Sequence, residues 1–538
     1  MKRSTFIKSS FVLGTGISLI GCLNEESYTG PGESNWHAGD LAHILPTLNH
    51  NRMLISTSFK RVVKTPILKV GNMSFEGQMR DSKGLFWAFD CQGLEAERTY
   101  ELQIFEQGLA LCDSWPLKTF PKTDADPDHL RLMIYSCAGG HPKVQDMLPV
   151  PDEEKESPDH FARKRVELLH RGLSLKPDAL IIIGDTVYWD LNGNGKKRLG
   201  TMQDPRAIEL AGKFDESLPI LGTENEEVLK KVVSPQIIDL YGTACRSTPI
   251  FIFNDDHDYF ENDEANDAII TFPPKAFQLA LGRMVQQMYF PEFLPDENRP
   301  LDLPGSGAKD RVEASSEAFG TLRYGKLAEL LMYDCRRFVD LNGTKAIFIP
   351  EAAENWLIKR TQSQDIKHCI HVPSTPYGWS AGKWLEWYPD ILGQDGVLHD
   401  DLPKFMWKRG WQNQHNRILS AMHEAKFRSP VTISGDLHTF ASGRMYRNGD
   451  LDFESNPIHA LIAGALGCTV FPSTFRKIKA STPNSIHMEE DFENVEENGF
   501  SIVDIDSRKV QVNMYKYLWS RDDLDEIKEL EAFQKLST

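Results

Sequence analysis

The sequence predicts an α/β fold: a large layered domain of apolar strands and flanking helices, preceded by a small all-β domain. Two patterns carry this reading. Beyond about residue 128, apolar runs of strand length (130–135, 179–183, 249–253, 329–333, 430–434 and 458–463) alternate with helical stretches. Strands that are apolar throughout are buried on both faces, which is the layered α/β arrangement. From 37 to 121 the runs are short and alternating (52–57, 65–70, 85–90 and 99–105) and are separated by turn residues, the pattern of a small β-sandwich. A chain of 538 residues with 41% hydrophobic side chains has ample material for such cores.

The N-terminus reads as an address. Lys2, Arg3 and Lys8 precede a short apolar stretch from Phe11 to Ile20, with small residues before Cys22, the order of a secretory signal. Leu19-Ile20-Gly21-Cys22 resembles the lipobox of bacterial lipoproteins. This implies removal of 1–21, lipid attachment at Cys22, and an exported protein tethered to a membrane and facing the periplasm or cell exterior. Residues 22–36, rich in Gly, Ser, Asn, Glu and Pro, make a flexible tether. Export implies an oxidising compartment. Seven cysteines remain after Cys22, so at least one has no intrachain partner, and Cys91 and Cys112 are near enough in sequence to pair.

Charge and hydropathy exclude two classes. With 60 basic against 77 acidic side chains, a net charge of −17 argues against a general nucleic-acid binder, which needs clustered positive charge. After the first twenty or so positions no 18-residue apolar run occurs, which argues against a polytopic membrane protein.

Within the elements, Gly93 to Gly108 is similar to the penultimate strand region of fibronectin-III-like domains. Ala162, Val166 and Leu169 at i, i+4 and i+7 predict an amphipathic helix stopped near Gly172. The acidic cluster from Glu489 to Glu497 reads as a solvated loop. A strand pair, 500–503 and 510–518, and a charged helix from Arg521 close the chain.

The chemistry sits at strand ends, where one event recurs four times. Run 130–135 ends in Ser136-Cys137; run 179–183 in Gly184-Asp185-Thr186-Val187-Tyr188; run 249–253 in Asn254-Asp255-Asp256-His257-Asp258; and run 430–434 in Gly435-Asp436-Leu437-His438. Ligands of open α/β sheets bind outside the carboxyl ends of strands, so parallel strands bring these four ends to one rim. Carboxylates such as Asp185, Asp256 and Asp436 at one rim repel each other unless cations neutralise them. Cys137 adds a softer thiolate suited to iron or zinc. Gly184 and Gly435 permit tight turns beside the ions. The position of His257 after the acidic pair suits a proton donor or phosphate contact.

In this order, behind a small β-sandwich, the four motifs resemble the alkaline phosphatase D (PhoD-like) family of calcineurin-like metallophosphoesterases. The resemblance runs from about 37 to 518 and includes Phe319 to Leu330 leading to Asp334-Cys335-Arg336. It implies a layered metallophosphoesterase β-sandwich core flanked by helices, over 128–538, and an exported enzyme hydrolysing phosphomonoesters, phosphodiesters or both. Cys137 and Asp185 would bind Fe3+, with Asp185 also bridging to Ca2+; Asp256, Asp436 and His438 would complete a multinuclear centre, with Zn2+ or Mn2+ as alternatives. Tyr241 stands as the metal-binding tyrosine and His371 as the metal histidine of the wider superfamily. His257, Asn262 and Arg336 would serve catalysis, with His257 assisting a metal-activated hydroxide or oxygen nucleophile. Two rival readings stand beside it: a phosphodiesterase acting on lipid headgroups or wall polymers, which the tether would favour, and a catalytically inactive surface lipoprotein whose β-sandwich engages glycan.

Overall fold

The computed structural model describes residues 36–142, 158–189, 209–259, 274–306, 311–340, 345–379, 391–392, 398–399, 409–467, 482, 485–518 and 524–538. The N-terminal stretch read as a signal, Cys22, Asn262 and Cys468 lie outside them. Residues His37–Thr538 form one compact unit.

The N-terminal part is all-β. One antiparallel sheet has the order Leu41–Leu48, Arg52–Phe59, Phe86–Gln92, Gln78–Met79; a second is built on Pro66–Val70 and Thr99–Glu106, joined by Met73–Glu76, Leu109–Ala110 and Trp115–Lys118. Alternation decides the faces: in Pro66–Val70, Leu68 and Val70 are buried while Ile67 and Lys69 are exposed. Arg52–Phe59 is instead buried along its whole length. Its sheet is docked on the rest of the unit, where His43 Nε2 lies 2.8 Å from the Tyr289 carbonyl and the Ile44 N–H donates to Gly242 O at 2.9 Å.

Two further sheets hold the chemistry. The six-stranded sheet runs Ile250–Phe253, Ala179–Ile183, His129–Ser136, Asn498–Asp506, Val510–Tyr517, Gln534–Ser537, its first three strands parallel and the rest antiparallel. In the eight-stranded sheet Ala328–Tyr333, His368–Pro373, Val431–Ser434 and Ile458–Ala463 are parallel neighbours. The four motif-bearing strands do not all share a sheet: three lie in the six-stranded sheet and Val431–Ser434 lies in the eight-stranded one. The C-terminal hairpin occupies the position beside His129–Ser136, so Val431–Ser434 pairs elsewhere. The sheets nevertheless join at their ends: the Ser136 N–H donates to Gly464 O at 3.0 Å, and Ser136 and Ala465 form a parallel bridge.

Helices cover the six-stranded sheet. Pro158–Ser174 presents buried Leu168 and Leu169 to a core that includes Met133, Leu180 and Ile182. The helix ends at Ser174, two residues past Gly172. A Cβ at Gly172 would meet Met133 Cε at 2.2 Å, so the missing side chain lets the helix lie against the strand. Helix Glu224–Tyr241 starts at Thr223, whose side chain accepts from the Asn225 N–H, and buries Val228, Leu229, Val232, Val233 and Ile237. Residues of the acidic cluster are in part structured: Glu489 and Glu490 belong to strand Ile486–Glu490, and Asn494 and Glu496 are buried. Among the described residues no disulfide is formed, so Cys91 and Cys112 do not pair.

Candidate metal centre

At three of the four strand ends the backbone turns through a conformation that side chains disfavour. Eight described non-glycine residues have positive φ, and four are Cys137 (50°), Asp185 (54°), Asp436 (71°) and His438 (52°). Such backbone costs about 1–3 kcal/mol per residue and persists only where the surroundings hold it, typically at functional sites. Gly184, at φ 59°, is forced as well: a Cβ there would lie 2.3 Å from Asp255 Cβ.

These turns gather the side chains into three overlapping groups, in each of which one ligand atom per residue lies within 4.8 Å of the others: Cys137, Asp185 and His438; Asp185, Asp256 and His257; and Asp255, Asp256 and Asp436. Asp185 and Asp256 are shared, which makes the three groups one continuous centre. Six predicted residues (Cys137, Asp185, Asp256, His257, Asp436 and His438) are thus brought together.

The donor set fits metal ions. Asp185 and Asp255 are fully buried, and among the described residues Asp185 Oδ1 and Asp255 Oδ2 have no hydrogen-bond partner. Burial pushes the Asp185 carboxyl well up from the usual carboxylate range, and the charges of Asp256, Asp255, Asp258 and Asp436 push it the same way. Asp255 is also pushed up by burial, against the opposing pull of Arg336. Buried carboxylates crowded in this way are made whole by cations. The thiolate, imidazole and carboxylate of the first group suit a transition metal; the three carboxylates of the last suit a hard cation.

Three residues show roles that sequence reasoning missed. Asp255 was passed over for its neighbour, although the adjacent acid was the available signal. Tyr188 closes the Gly-Asp-x-x-Tyr motif; its hydroxyl donates to Asp185 Oδ2 at 3.1 Å and lies 3.1 Å from His438 Nε2, and its ring sits 4.2 Å from that of His257. Asp258 acts as a clamp. Its carboxylate accepts from the N–H groups of Asp185 (2.7 Å), Thr186 (3.0 Å), Val187 (3.0 Å) and Asp255 (2.9 Å), and from the Thr186 hydroxyl, tying two ligand loops together. Burial raises its pKa to about 6, and those backbone donors pull the other way.

Two expected ligands are corrected. His371 lies within strand His368–Pro373, its Nδ1 3.1 Å from Tyr333 Oη and its Nε2 2.8 Å from Thr361 Oγ1, so both ring nitrogens are used in the core. Tyr241 ends helix Glu224–Tyr241 among apolar side chains, and its hydroxyl pairs with that of Tyr135 at 3.2 Å. Arg336 does lie at the centre, with Nε 2.6 Å from Asp255 Oδ1 and Nη2 3.0 Å from Asp436 Oδ2.

Comparison with known families decides the assignment. The PhoD-like phosphatase profile matches residues 160–514. The chain belongs to the PhoD-like phosphatase family. It is accordingly a hydrolase acting on phosphate esters, and the family is metal-dependent. A solved structure described as "Structure of PhoD" shares the fold, with a TM-score of 0.55 at 12% identity over 93% of this chain and 89% of that one. A type III pullulan hydrolase from Thermococcus kodakarensis aligns at 10% identity over 73% of this chain and 60% of that one, but its TM-score of 0.14 carries no argument. No curated protein matches the chain.

Proposed function

We propose that this PhoD-like phosphatase is an exported, lipid-anchored enzyme that hydrolyses phosphomonoesters, phosphodiesters or both at an Fe3+ and Ca2+ centre. The observation that supports the metal assignment is the sorting of donors: sulfur, nitrogen and oxygen gather around Cys137, Asp185 and His438, whereas only carboxylates gather around Asp255, Asp256 and Asp436. Metal ions, when bound, orient the phosphate and absorb its developing charge. His257, packed on the Tyr188 ring, gives a proton to the leaving oxygen. Arg336 holds Asp255 and Asp436 in place through its two ion pairs. The lipobox-like Cys22 supports the anchor, and the two antiparallel N-terminal sheets support a fibronectin-III-like module.

The test is elemental analysis of protein purified without added metal, run beside hydrolysis of a chromogenic monoester and a diester before and after chelator. Stoichiometric iron and calcium with chelator-sensitive turnover is the expected result. Zinc or manganese in their place corrects the metals alone, and a strong diester preference selects the phosphodiesterase reading. Protein that binds no metal and turns over neither ester with any added ion overturns the proposal. Mass analysis of the protein from the membrane fraction tests the anchor: an unmodified Cys22 thiol rejects it.

A further inference from the structure

Gln236 is fully buried in helix Glu224–Tyr241 and uses every hydrogen-bonding position of its carboxamide. Oε1 accepts from the backbone N–H of Gly140 at 2.8 Å and of Tyr188 at 2.9 Å, while Nε2 donates to the carbonyls of Tyr188 and Val232 at 3.0 Å. The Val232 bond ties the amide to its own helix and sets which way it faces. Gly140 lies three residues beyond Cys137, and Tyr188 three beyond Asp185. One side chain therefore grips both loops that carry the sulfur-containing end of the centre.

A separate observation shows that the spacing of these loops is tight. The Gly139 N–H donates to Asp185 O at 2.9 Å, and a Cβ at Gly139 would lie 2.6 Å from Tyr188 Cδ2. The Tyr188 ring edge fills the space that a side chain at 139 would occupy. We propose that Gln236 is a positioning residue that fixes the Cys137 loop against the Tyr188 backbone, and so aims the Tyr188 hydroxyl at Asp185 and His438. The inference rests on the metal-centre reading, but part of its test needs no metal.

Gln414 provides a matched control. It is also fully buried, and it makes four bonds of the same kind, accepting from the Phe348 and Ile349 N–H groups and donating to Ile349 O and Glu354 Oε2. Gln236→Met and Gln414→Met keep the side-chain length and remove the amide. In chelator-treated protein, Gln236→Met is expected to speed amide exchange in segments 137–141 and 186–189 at least about ten-fold, because the Gly140 and Tyr188 N–H groups lose their acceptor. In metal-loaded protein it is expected to speed release to chelator by about ten-fold and to lower kcat with KM nearly unchanged. Gln414→Met is expected to lower Tm and to leave all three readouts within about two-fold. Unchanged exchange in both segments, or equal effects from the two variants, overturns the proposal. If Gln236→Met does not fold, Gln236→Glu retains the acceptor but loses both donor bonds, to Tyr188 O and Val232 O; faster metal release supports the role, and unchanged release rejects it. Wild-type protein that binds no metal defeats the metal-centre reading, while the exchange result still decides whether Gln236 holds the loops.

Discussion

Arg336 donates from Nε to Asp255 Oδ1 at 2.6 Å, joining the loop after strand Ala328–Tyr333 of one sheet to the loop after strand Ile250–Phe253 of the other. The pair is buried, and Arg336 also reaches Asp436. Removing one partner of a buried pair leaves the other charge uncompensated, at about 3–5 kcal/mol. Arg336→Met is expected to lose stability of that order in urea unfolding of chelator-treated protein. A change below about 1 kcal/mol rejects the account.

The two tyrosines are predicted to separate. Tyr188→Phe keeps the ring against His257 but removes the hydroxyl that meets Asp185 and His438. Steady-state kinetics should show kcat reduced by about ten-fold or more, the scale of a lost hydrogen bond to a charged group. Tyr241→Phe loses only its bond to Tyr135. It should cost about 1 kcal/mol of stability and leave kcat unchanged; a kcat loss equal to that of Tyr188→Phe would return Tyr241 to the centre.

His371 gives a second contrast. Because its ring nitrogens meet Tyr333 and Thr361, His371→Ala should destabilise the fold by about 2–4 kcal/mol while bound metal per chain, measured by elemental analysis, stays the same. Loss of one metal ion per chain in a folded variant would show that the histidine is a ligand.

Asp258→Asn replaces one of two acceptor oxygens with an N–H group that faces backbone donors. The carboxylate accepts from four backbone N–H groups, so the expected cost is about 2–3 kcal/mol, together with weaker metal retention. Thermal melts beside a chelator-release time course check both. Unchanged release would confine Asp258 to the fold.

His43 predicts the direction of an acid effect. Burial lowers its pKa from 6.5 to about 4, with the Tyr289 carbonyl partly opposing. The folded state thus holds neutral imidazole while the unfolded chain takes up a proton below pH 6.5. The contribution of His43 is full above that pH and falls as pH drops toward 4, by about 3 kcal/mol in all. Urea unfolding of the parent and His43→Gln across this range should show the parent's slope steeper by about one proton. Comparing the two cancels the other titrating groups; equal slopes would refute the prediction.

Local chemistry made much of this protein legible. Apolar runs such as 179–183 and 430–434 specify strands because only burial on both faces accommodates them, and ligand-type residues directly after them mark strand ends whatever the sheet order. Cys137, Asp185, Asp256, His257, Asp436 and His438 were found this way. Tertiary structure alone decided the rest, because it turns on contacts between residues far apart in the chain. The resemblance marks Tyr241 as a ligand, but the packing of helix Glu224–Tyr241 buries it against Tyr135, 106 positions away. His371 resembles a ligand in sequence, yet its place in strand His368–Pro373 sets its ring between Tyr333 of the neighbouring strand and Thr361 at the end of helix Glu351–Thr361. Most of all, the C-terminal hairpin takes the slot beside His129–Ser136, so the centre forms where two sheets meet, and its bridging arginine pairs with carboxylates 81 and 100 residues distant.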